Sequence, residues 1–87
     1  MSNLEHSFEK AAEEVKNLVY RPGNNELLKL YALYKQATIG DNDTQKPGIF
    51  DLQGRAKWNA WKDVKGLSEH DAKQQYVAFV DMLKSKQ

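Results

Sequence analysis

Apolar residues recur at steps of three and four along four separate segments of this sequence, and no segment shows the two-residue alternation of a half-buried strand. The segments cover about residues 4–19, 24–40, 52–65 and 68–83. The Pro22–Gly23 pair, which cannot easily continue a helix, separates the first two. This spacing predicts an all-α fold with four helices.

The ends of these segments carry recognisable signals. Asn24 is a good N-cap for the second helix, Gly66 is placed to stop the third, and Ser68 is placed to cap the fourth. The longest irregular stretch, residues 40–50, is rich in turn-forming residues. We expect Ile49 and Phe50 to anchor its far end in the core.

The chain has 87 residues and no cysteine, so we expect one domain over residues 1–87 that depends on its packed core. The missing thiols exclude disulfides, thiolate catalysis and cysteine-based metal sites. No apolar run reaches the roughly 18 residues of a membrane span, and the N-terminus resembles no signal peptide. A cytoplasmic protein without integral membrane association is therefore expected.

The second segment has an unusually wide apolar face. On a helix of about 100° per residue, Leu30, Leu33 and Ala37 form a packing seam of about 60°. Six further side chains extend this surface by about 120°: Leu27, Leu28, Tyr31, Tyr34, Lys35 and Thr38. Only Lys29, Ala32 and Gln36 are expected to face water.

Two interpretations of this face stay open. The second helix is either a central helix covered by neighbours on two sides, or it holds a ligand. Its hydroxyls and ammonium are hydrogen-bond donors with no nearby acceptor on their own helix, and an anion would satisfy them. Groups on the other segments complete a possible site for one phosphate-rich, ring-bearing ligand: Lys16, Arg21, Arg55, Lys57 and Tyr76.

Other functions fit the sequence less well. No glycine-rich phosphate loop is present, the two histidines are far apart in sequence, and residues 41–46 lack the glycine of a calcium loop, so neither an enzyme nor a metal site is expected. A formal net charge of +1 disfavours nucleic-acid binding. A protein-interaction module remains an alternative, because exposed apolar surface would look the same.

Three stretches resemble the acyl-CoA-binding protein family, also called diazepam-binding inhibitor. They are FEKAAEEVKNL at residues 8–18, YALYKQATIGD at 31–41 and KPGIFDLQGRAKWNAWKDVKGLS at 46–68. The resemblance covers nearly the whole chain and is that of a single-domain, stand-alone member. It implies an up-down-down-up four-helix bundle that binds, buffers and transports medium- to long-chain fatty acyl-CoA esters inside the cell, as a monomer and without a cofactor.

The resemblance also implies a set of site residues. Those expected to contact the coenzyme A head group are Lys16, Tyr31, Tyr34, Lys35, Lys57 and Tyr76. Among them, Tyr31, Lys35 and Lys57 would hold the 3′-phosphate, while Tyr34 and Tyr76 would position the head. Those expected to border the acyl chain are Phe8, Ala12, Leu27 and Leu28.

One position departs from the family pattern. Gln53 stands where the family often has lysine, so one auxiliary head-group contact is not expected here. The alternative function within this resemblance is a protein-interaction or receptor-directed peptide module that uses the same helical surface.

Overall fold

A computed structural model describes residues 3–86 and contains four α-helices, with no strand in that range. Helix α1 spans Asn3–Glu14 and continues as a 3-10 turn over Val15–Asn17, α2 spans Asn24–Thr38, α3 spans Leu52–Asp63, and α4 spans Glu69–Ser85. The predicted number and type of elements are confirmed for the described residues.

Helix α2 is the central element of the fold. It packs against α3 and against α4, and α1 packs against α4. The core is formed by side chains of α1, α2 and α4: Phe8, Ala11, Leu30, Leu33, Ala37, Ala72, Tyr76, Val80 and Leu83. The face of α2 is therefore wide partly because two helices cover it.

Two residues of α2 are buried although the sequence predicted that they face water. Ala32 and Gln36 are both almost fully buried. Gln36 Nε2 donates to Asp41 Oδ1 and to the Leu67 carbonyl, both at 2.8 Å. The prediction was wrong because chain segments beyond the helix cover these positions, whereas helical periodicity describes only the helix itself. The prediction for Lys29, which is exposed, is confirmed.

Helix α1 is shorter than its periodicity predicted. The chain leaves helical geometry at Leu18, whose backbone is extended (φ −63°, ψ 139°), and Val19 is 88% exposed rather than part of the apolar face. Pro22 disfavours helical geometry at the residue before it, and the half-buried Leu18 turns toward the core. The first helix thus ends in a tightened turn ahead of the Pro22–Gly23 break.

The remaining helix ends follow the sequence signals with small shifts. Gly23, not Asn24, is the N-cap of α2, and its N–H donates to the Glu26 carboxylate at 2.9 Å. Helix α3 stops at Asp63, and Gly66 adopts φ 92° in the turn that follows. The Ser68 cap is confirmed, because its Oγ accepts the Asp71 N–H at 3.0 Å.

Polar contacts, not Ile49 and Phe50, hold the segment between α2 and α3. The Trp61 indole N–H donates to the Gly40 carbonyl at 2.8 Å, and the Trp58 indole N–H donates to the Thr44 carbonyl at 3.0 Å. Asn42 is buried and donates to the Trp58 carbonyl at 3.2 Å. Ile49 and Phe50 are exposed, so the expectation that they anchor this segment in the core was wrong.

Candidate functional site

A groove of about 580 Å³ lies between α2 and α3. Leu27, Leu28 and Ala56 give it an apolar lining, and Tyr31 and Lys57 lie at its polar part. A smaller groove of about 320 Å³ shares Tyr31 and Lys57 as lining residues, so the two spaces adjoin. The groove thus combines an apolar lining with cationic and hydrogen-bonding side chains.

Two lysines approach the ring of Tyr31. Lys57 Nζ, from α3, lies 5.5 Å from the ring centroid, and Lys35 Nζ, from the next turn of α2, lies 5.8 Å from it. Lys35 Nζ is also 5.3 Å from the Trp61 ring centroid. These distances are typical of cation–π contacts, which hold an ammonium group in place without neutralising it.

The cations at the groove are not paired with acids. Arg21, Lys35 and Lys57 form no salt bridge with any carboxylate among residues 3–86. Helix α2 has no acidic residue after Glu26, and Glu26 itself pairs with Lys86 at 3.0 Å. The groove is therefore locally positive although the chain as a whole is nearly neutral, and a bound anion would find free donors there.

The hydroxyl groups predicted on the wide face divide into two kinds. Thr38 Oγ1 donates to the Tyr34 carbonyl at 2.8 Å, so this hydroxyl is satisfied within its own helix and drops out of the candidate set. The hydroxyls of Tyr31, Tyr34 and Tyr76 have no hydrogen-bond partner within the described part of the chain. The tyrosine hydroxyls therefore remain able to donate to an external acceptor, whereas the threonine hydroxyl does not.

Aromatic rings of α1, α2 and α4 form a cluster of three. Phe8 lies 5.6 Å from Tyr34 in a stacked arrangement and 5.2 Å from Tyr76 edge to face, and the two tyrosines are 5.9 Å apart. Phe8 and Tyr76 are buried, whereas Tyr34 is 43% exposed. Burial, and to a lesser degree the neighbouring Tyr34, raises the pKa of Tyr76, so this phenol stays neutral at physiological pH. Tyr34 is the ring of this cluster that offers most surface to a ligand.

The structure places eight of the ten predicted site residues in two groups. Leu27, Leu28, Tyr31 and Lys57 line one groove, and Lys35 touches the same tyrosine. The aromatic cluster contains the predicted residues Phe8, Tyr34 and Tyr76.

Two predicted residues, Lys16 and Ala12, belong neither to the groove lining nor to the aromatic cluster. Lys16 is exposed and lies 3.4 Å from Glu13 on its own turn, and Ala12 is half-buried against the core.

Three lining residues were absent from the predicted set. Asn24, Gln53 and Ala56 line the groove, as does Arg21, which the sequence placed in the possible ligand site but which is not among the residues implied by the resemblance. A usable signal existed in the spacing: residues 53, 56 and 57 recur at helical steps on one face of α3, opposite the similar series on α2. Gln53 therefore lines the groove with an uncharged side chain, at a position where the family often has lysine.

The described residues contain no group of three or more histidine or acidic side chains arranged to hold a metal ion. Within the same range, no helix is both long enough and apolar enough to cross a membrane.

The family model of acyl-CoA-binding proteins matches residues 5–80. The chain is 59% identical over 80 residues to acyl-CoA-binding protein homolog 1 of Caenorhabditis elegans, covering 92% of this chain and 93% of that one. It is 53% identical over 83 residues to the acyl-CoA-binding protein homolog of Drosophila melanogaster, covering 95% and 96% of the two chains.

Solved structures agree with these sequence relatives. The fold matches the crystal structure of Oryza sativa acyl-CoA-binding protein 2 with a TM-score of 0.92 and 44% identity, over 97% of this chain and 93% of that one. It matches the solution structure of the yeast acyl-coenzyme A binding protein with a TM-score of 0.72 and 54% identity, over 91% and 92% of the chains. The all-α fold predicted from the sequence is confirmed by both likenesses.

Proposed function

Because the chain belongs to the acyl-CoA-binding protein family, we propose that it binds fatty acyl-CoA esters, without changing them chemically, in the groove between α2 and α3. One observation carries this proposal. The groove has an apolar lining at Leu27, Leu28 and Ala56 and unpaired cations at its edge. An acyl-CoA ester has the same two parts, a hydrocarbon chain and a head group with several phosphates.

The head group is proposed to bind at the cationic side chains around Tyr31. Tyr31, Lys35 and Lys57 would hold the 3′-phosphate, since the two ammonium groups already converge on the Tyr31 ring. Tyr34, and Tyr76 behind it, would position the rest of the head. Charge-assisted hydrogen bonds of this kind are worth about 1.5–3 kcal/mol each before ordering costs. Lys16 belongs to the proposed set by family resemblance alone.

The acyl chain is proposed to bind along the apolar lining. Each methylene removed from water contributes about 0.8 kcal/mol, so two more buried methylenes raise affinity by roughly tenfold. This gain stops where the groove ends, which gives the protein a preferred range of chain length. Leu27 and Leu28 line the groove, while Phe8 and Ala12, the other two residues of the predicted border, lie toward the core of α1, α2 and α4.

The proposal includes the cellular role. We infer a monomeric, cytoplasmic carrier that buffers and transports medium- to long-chain esters and catalyses no reaction. Size-exclusion chromatography and cell fractionation test the first two properties. Incubation with palmitoyl-CoA, followed by mass spectrometry of the recovered ligand, tests the absence of chemistry.

Calorimetric titration with palmitoyl-CoA tests the binding itself, with free coenzyme A and palmitate as controls. The proposal predicts one-to-one binding that is much tighter for the ester than for either part, because head and tail are held in the same site. No heat with any of the three compounds would refute it, and the protein-interaction alternative would then take its place.

A further inference from the structure

Trp61 is a buried side chain of α3, only 5% exposed, that also belongs to the lining of the smaller groove. Its indole N–H donates at 2.8 Å to the carbonyl of Gly40, just beyond the end of α2. The packing and this hydrogen bond together fix both the position and the orientation of the ring. Trp61 is therefore a rigid part of the groove wall.

The ammonium group of Lys35 lies against the ring of Trp61. Lys35 Nζ is 5.3 Å from the centroid of this ring and 5.8 Å from the centroid of Tyr31. It forms no salt bridge with a carboxylate among residues 3–86. Tryptophan attracts a cation more strongly than tyrosine does, so Trp61 is the stronger of the two aromatic contacts of Lys35.

The other tryptophan of α3 has different partners. The ring centroid of Trp58 lies 5.5 Å from Lys46 Nζ and 5.5 Å from Lys62 Nζ. Neither of these lysines lines either groove. Of the two tryptophans, Trp61 is thus the one whose ring contacts a lysine that is proposed to bind the head group.

We propose that Trp61 is a positioning residue for the 3′-phosphate of the ester, because its ring holds the Lys35 ammonium group beside Tyr31 before the ligand arrives. This inference rests on the proposed function, in which Tyr31, Lys35 and Lys57 hold that phosphate. Trp61 itself has no donor left for the ligand, since its indole N–H is bound to Gly40. Its contribution is to order in advance a flexible side chain whose immobilisation would otherwise weaken binding.

The 3′-phosphate selectivity of the protein tests this proposal. This selectivity is the ratio of the affinities for palmitoyl-CoA and for palmitoyl-(3′-dephospho)-CoA, both measured by calorimetry. The two esters differ in the 3′-phosphate alone. A variant that merely lowers the folded fraction, or deforms the site of the acyl chain, changes both affinities by the same factor and leaves the ratio as it was. A displaced Lys35 ammonium group lowers the ratio.

Replacing Trp61 by an aliphatic side chain should lower this ratio. We expect a decrease of about twofold to tenfold in Trp61→Leu, which is the cost of immobilising one long side chain on binding. Trp61→Phe keeps a ring but loses the hydrogen bond to Gly40, and it should retain more of the selectivity than Trp61→Leu does. An unchanged ratio in Trp61→Leu would overturn the proposal.

Phe79→Leu is the matched control for the loss of a ring that contacts a lysine. The Phe79 ring lies 4.7 Å from Lys29 Nζ, and neither residue lines either groove. The ratio in this variant should equal that of the wild type. A decrease as large as that of Trp61→Leu would show that the effect is not specific to Lys35, and it would also overturn the proposal.

A double variant shows whether Trp61 acts through Lys35. Lys35→Ala should lower the ratio by itself. Adding Trp61→Leu to Lys35→Ala should lower it no further, because no ammonium group remains to be positioned. A full additional decrease in the double variant would give Trp61 a role that is independent of Lys35, contrary to the proposal.

The contact itself can be tested in the wild-type protein without ligand. We expect nuclear Overhauser effects between the ε-methylene protons of Lys35 and the ring protons of Trp61, and their absence would overturn the proposal even if Trp61→Leu failed to fold. Wild-type protein that binds neither ester, or binds both equally, would refute the proposed function or its head-group placement, and this inference with it. Selective binding that Trp61→Leu retains in full would refute the inference alone.

Discussion

At the scale of single residues, Lys35 contacts two aromatic side chains, Tyr31 and Trp61, that line the two grooves. Its ammonium group lies within cation–π distance of both Tyr31 and Trp61, and no described carboxylate neutralises it. These contacts hold the ammonium group near the groove before a ligand binds. The side chain therefore loses less conformational entropy on binding. Lys57 approaches the same tyrosine from α3, which makes the pair of lysines a feature of two helices rather than one.

Replacing Lys35 should therefore affect the head group specifically. We expect Lys35→Ala to weaken palmitoyl-CoA and free coenzyme A by the same factor, about tenfold to a hundredfold, since one charge-assisted contact of about 1.5–3 kcal/mol is lost. Lys29→Ala is the matched control, because Lys29 lies on the same helix but contacts the Phe79 ring instead of the groove. Wild-type affinity in calorimetry of Lys35→Ala would show that the head group binds elsewhere.

Leu28 should affect the tail and not the head. We expect Leu28→Ala to reduce the affinity gained per added methylene in a series of saturated esters, while free coenzyme A binds as it does to the wild type. The reason is that Leu28 supplies apolar lining at the groove and no polar contact. Met82→Ala, an exposed apolar change on α4, serves as the control. An unchanged slope of affinity against chain length in Leu28→Ala would exclude this part of the groove as the tail site.

At the scale of elements, one polar network fixes the path of the chain around the end of α2. Gln36 connects this helix to Asp41 and to the Leu67 carbonyl, and Asp41 in turn accepts the Gly66 N–H at 2.8 Å. The segments before α3 and after it are thus tied to the same buried glutamine. Gln36 Oε1 has no partner among the described residues, so the side chain is satisfied through its donor end only.

Removing Gln36 should destabilise the fold more than a surface change of the same kind. We expect Gln36→Ala to lower the free energy of unfolding by about 2–4 kcal/mol, because a cavity forms and the Leu67 carbonyl loses its donor. Gln74→Ala, on the exposed side of α4, is the control. It should change the free energy of unfolding by less than about 0.5 kcal/mol. Urea unfolding measures both, and equal values for the two variants would contradict the role of the network.

Asp41 makes the same network sensitive to acid. The Gly66 N–H, and next the Gln36 amide, lower the pKa of Asp41 below its ordinary value. A carboxyl group whose pKa is lowered in the folded state stabilises the fold above its unfolded-state pKa, and this contribution is lost as the pH falls through the lowered value. The melting temperature of Asp41→Asn should therefore lie below that of the wild type at pH 7, and the gap should narrow in acid. A gap that is constant with pH would contradict this assignment.

The limits of sequence reasoning are visible in these same elements. The helices, the Ser68 cap and the wide face of α2 follow from local spacing and were predicted. The burial of Ala32 and Gln36 depends on segments more distant in sequence, which periodicity does not describe. The exposure of Ile49 and Phe50 was missed for a related reason, because apolar character suggests burial. Hydrogen bonds of Trp58, Trp61 and Asn42 hold this segment instead, and they depend on residues that are distant in sequence.

The site was predictable where its residues share a helix face. Tyr31, Tyr34 and Lys35 follow from one helix alone. Lys57 was placed in a possible site from the sequence, and the resemblance added its role at the 3′-phosphate. Ala56 was not predicted, and its place in the lining follows from the position of α3 opposite α2. Lys16 is the opposite case. The resemblance assigns it to the site, whereas in the structure its ammonium group lies 3.4 Å from the Glu13 carboxylate.

At the scale of the whole molecule, the acidic and basic side chains nearly cancel in number, but only some of the cations form salt bridges among residues 3–86. Helix α1 carries four glutamates, two of which pair with α4 through Lys73–Glu5 at 2.5 Å and Lys84–Glu14 at 3.0 Å. These exposed pairs contribute little to stability, but they neutralise cations that lie away from the groove. The cations left without acidic partners include those at the groove, so a net charge of +1 is compatible with a strongly anionic ligand.

The most direct test of the proposed site is a titration of isotope-labelled protein with palmitoyl-CoA, followed by amide chemical shifts in nuclear magnetic resonance spectra. We expect the largest shifts on the facing sides of α2 and α3, at Leu28, Tyr31, Gln53 and Lys57, and at Tyr34 in the aromatic cluster. The amides of the last turns of α4, around Met82, should stay near their free positions. Binding with its largest shifts at the end of α4, and little change between α2 and α3, would show that the groove is not the ligand site.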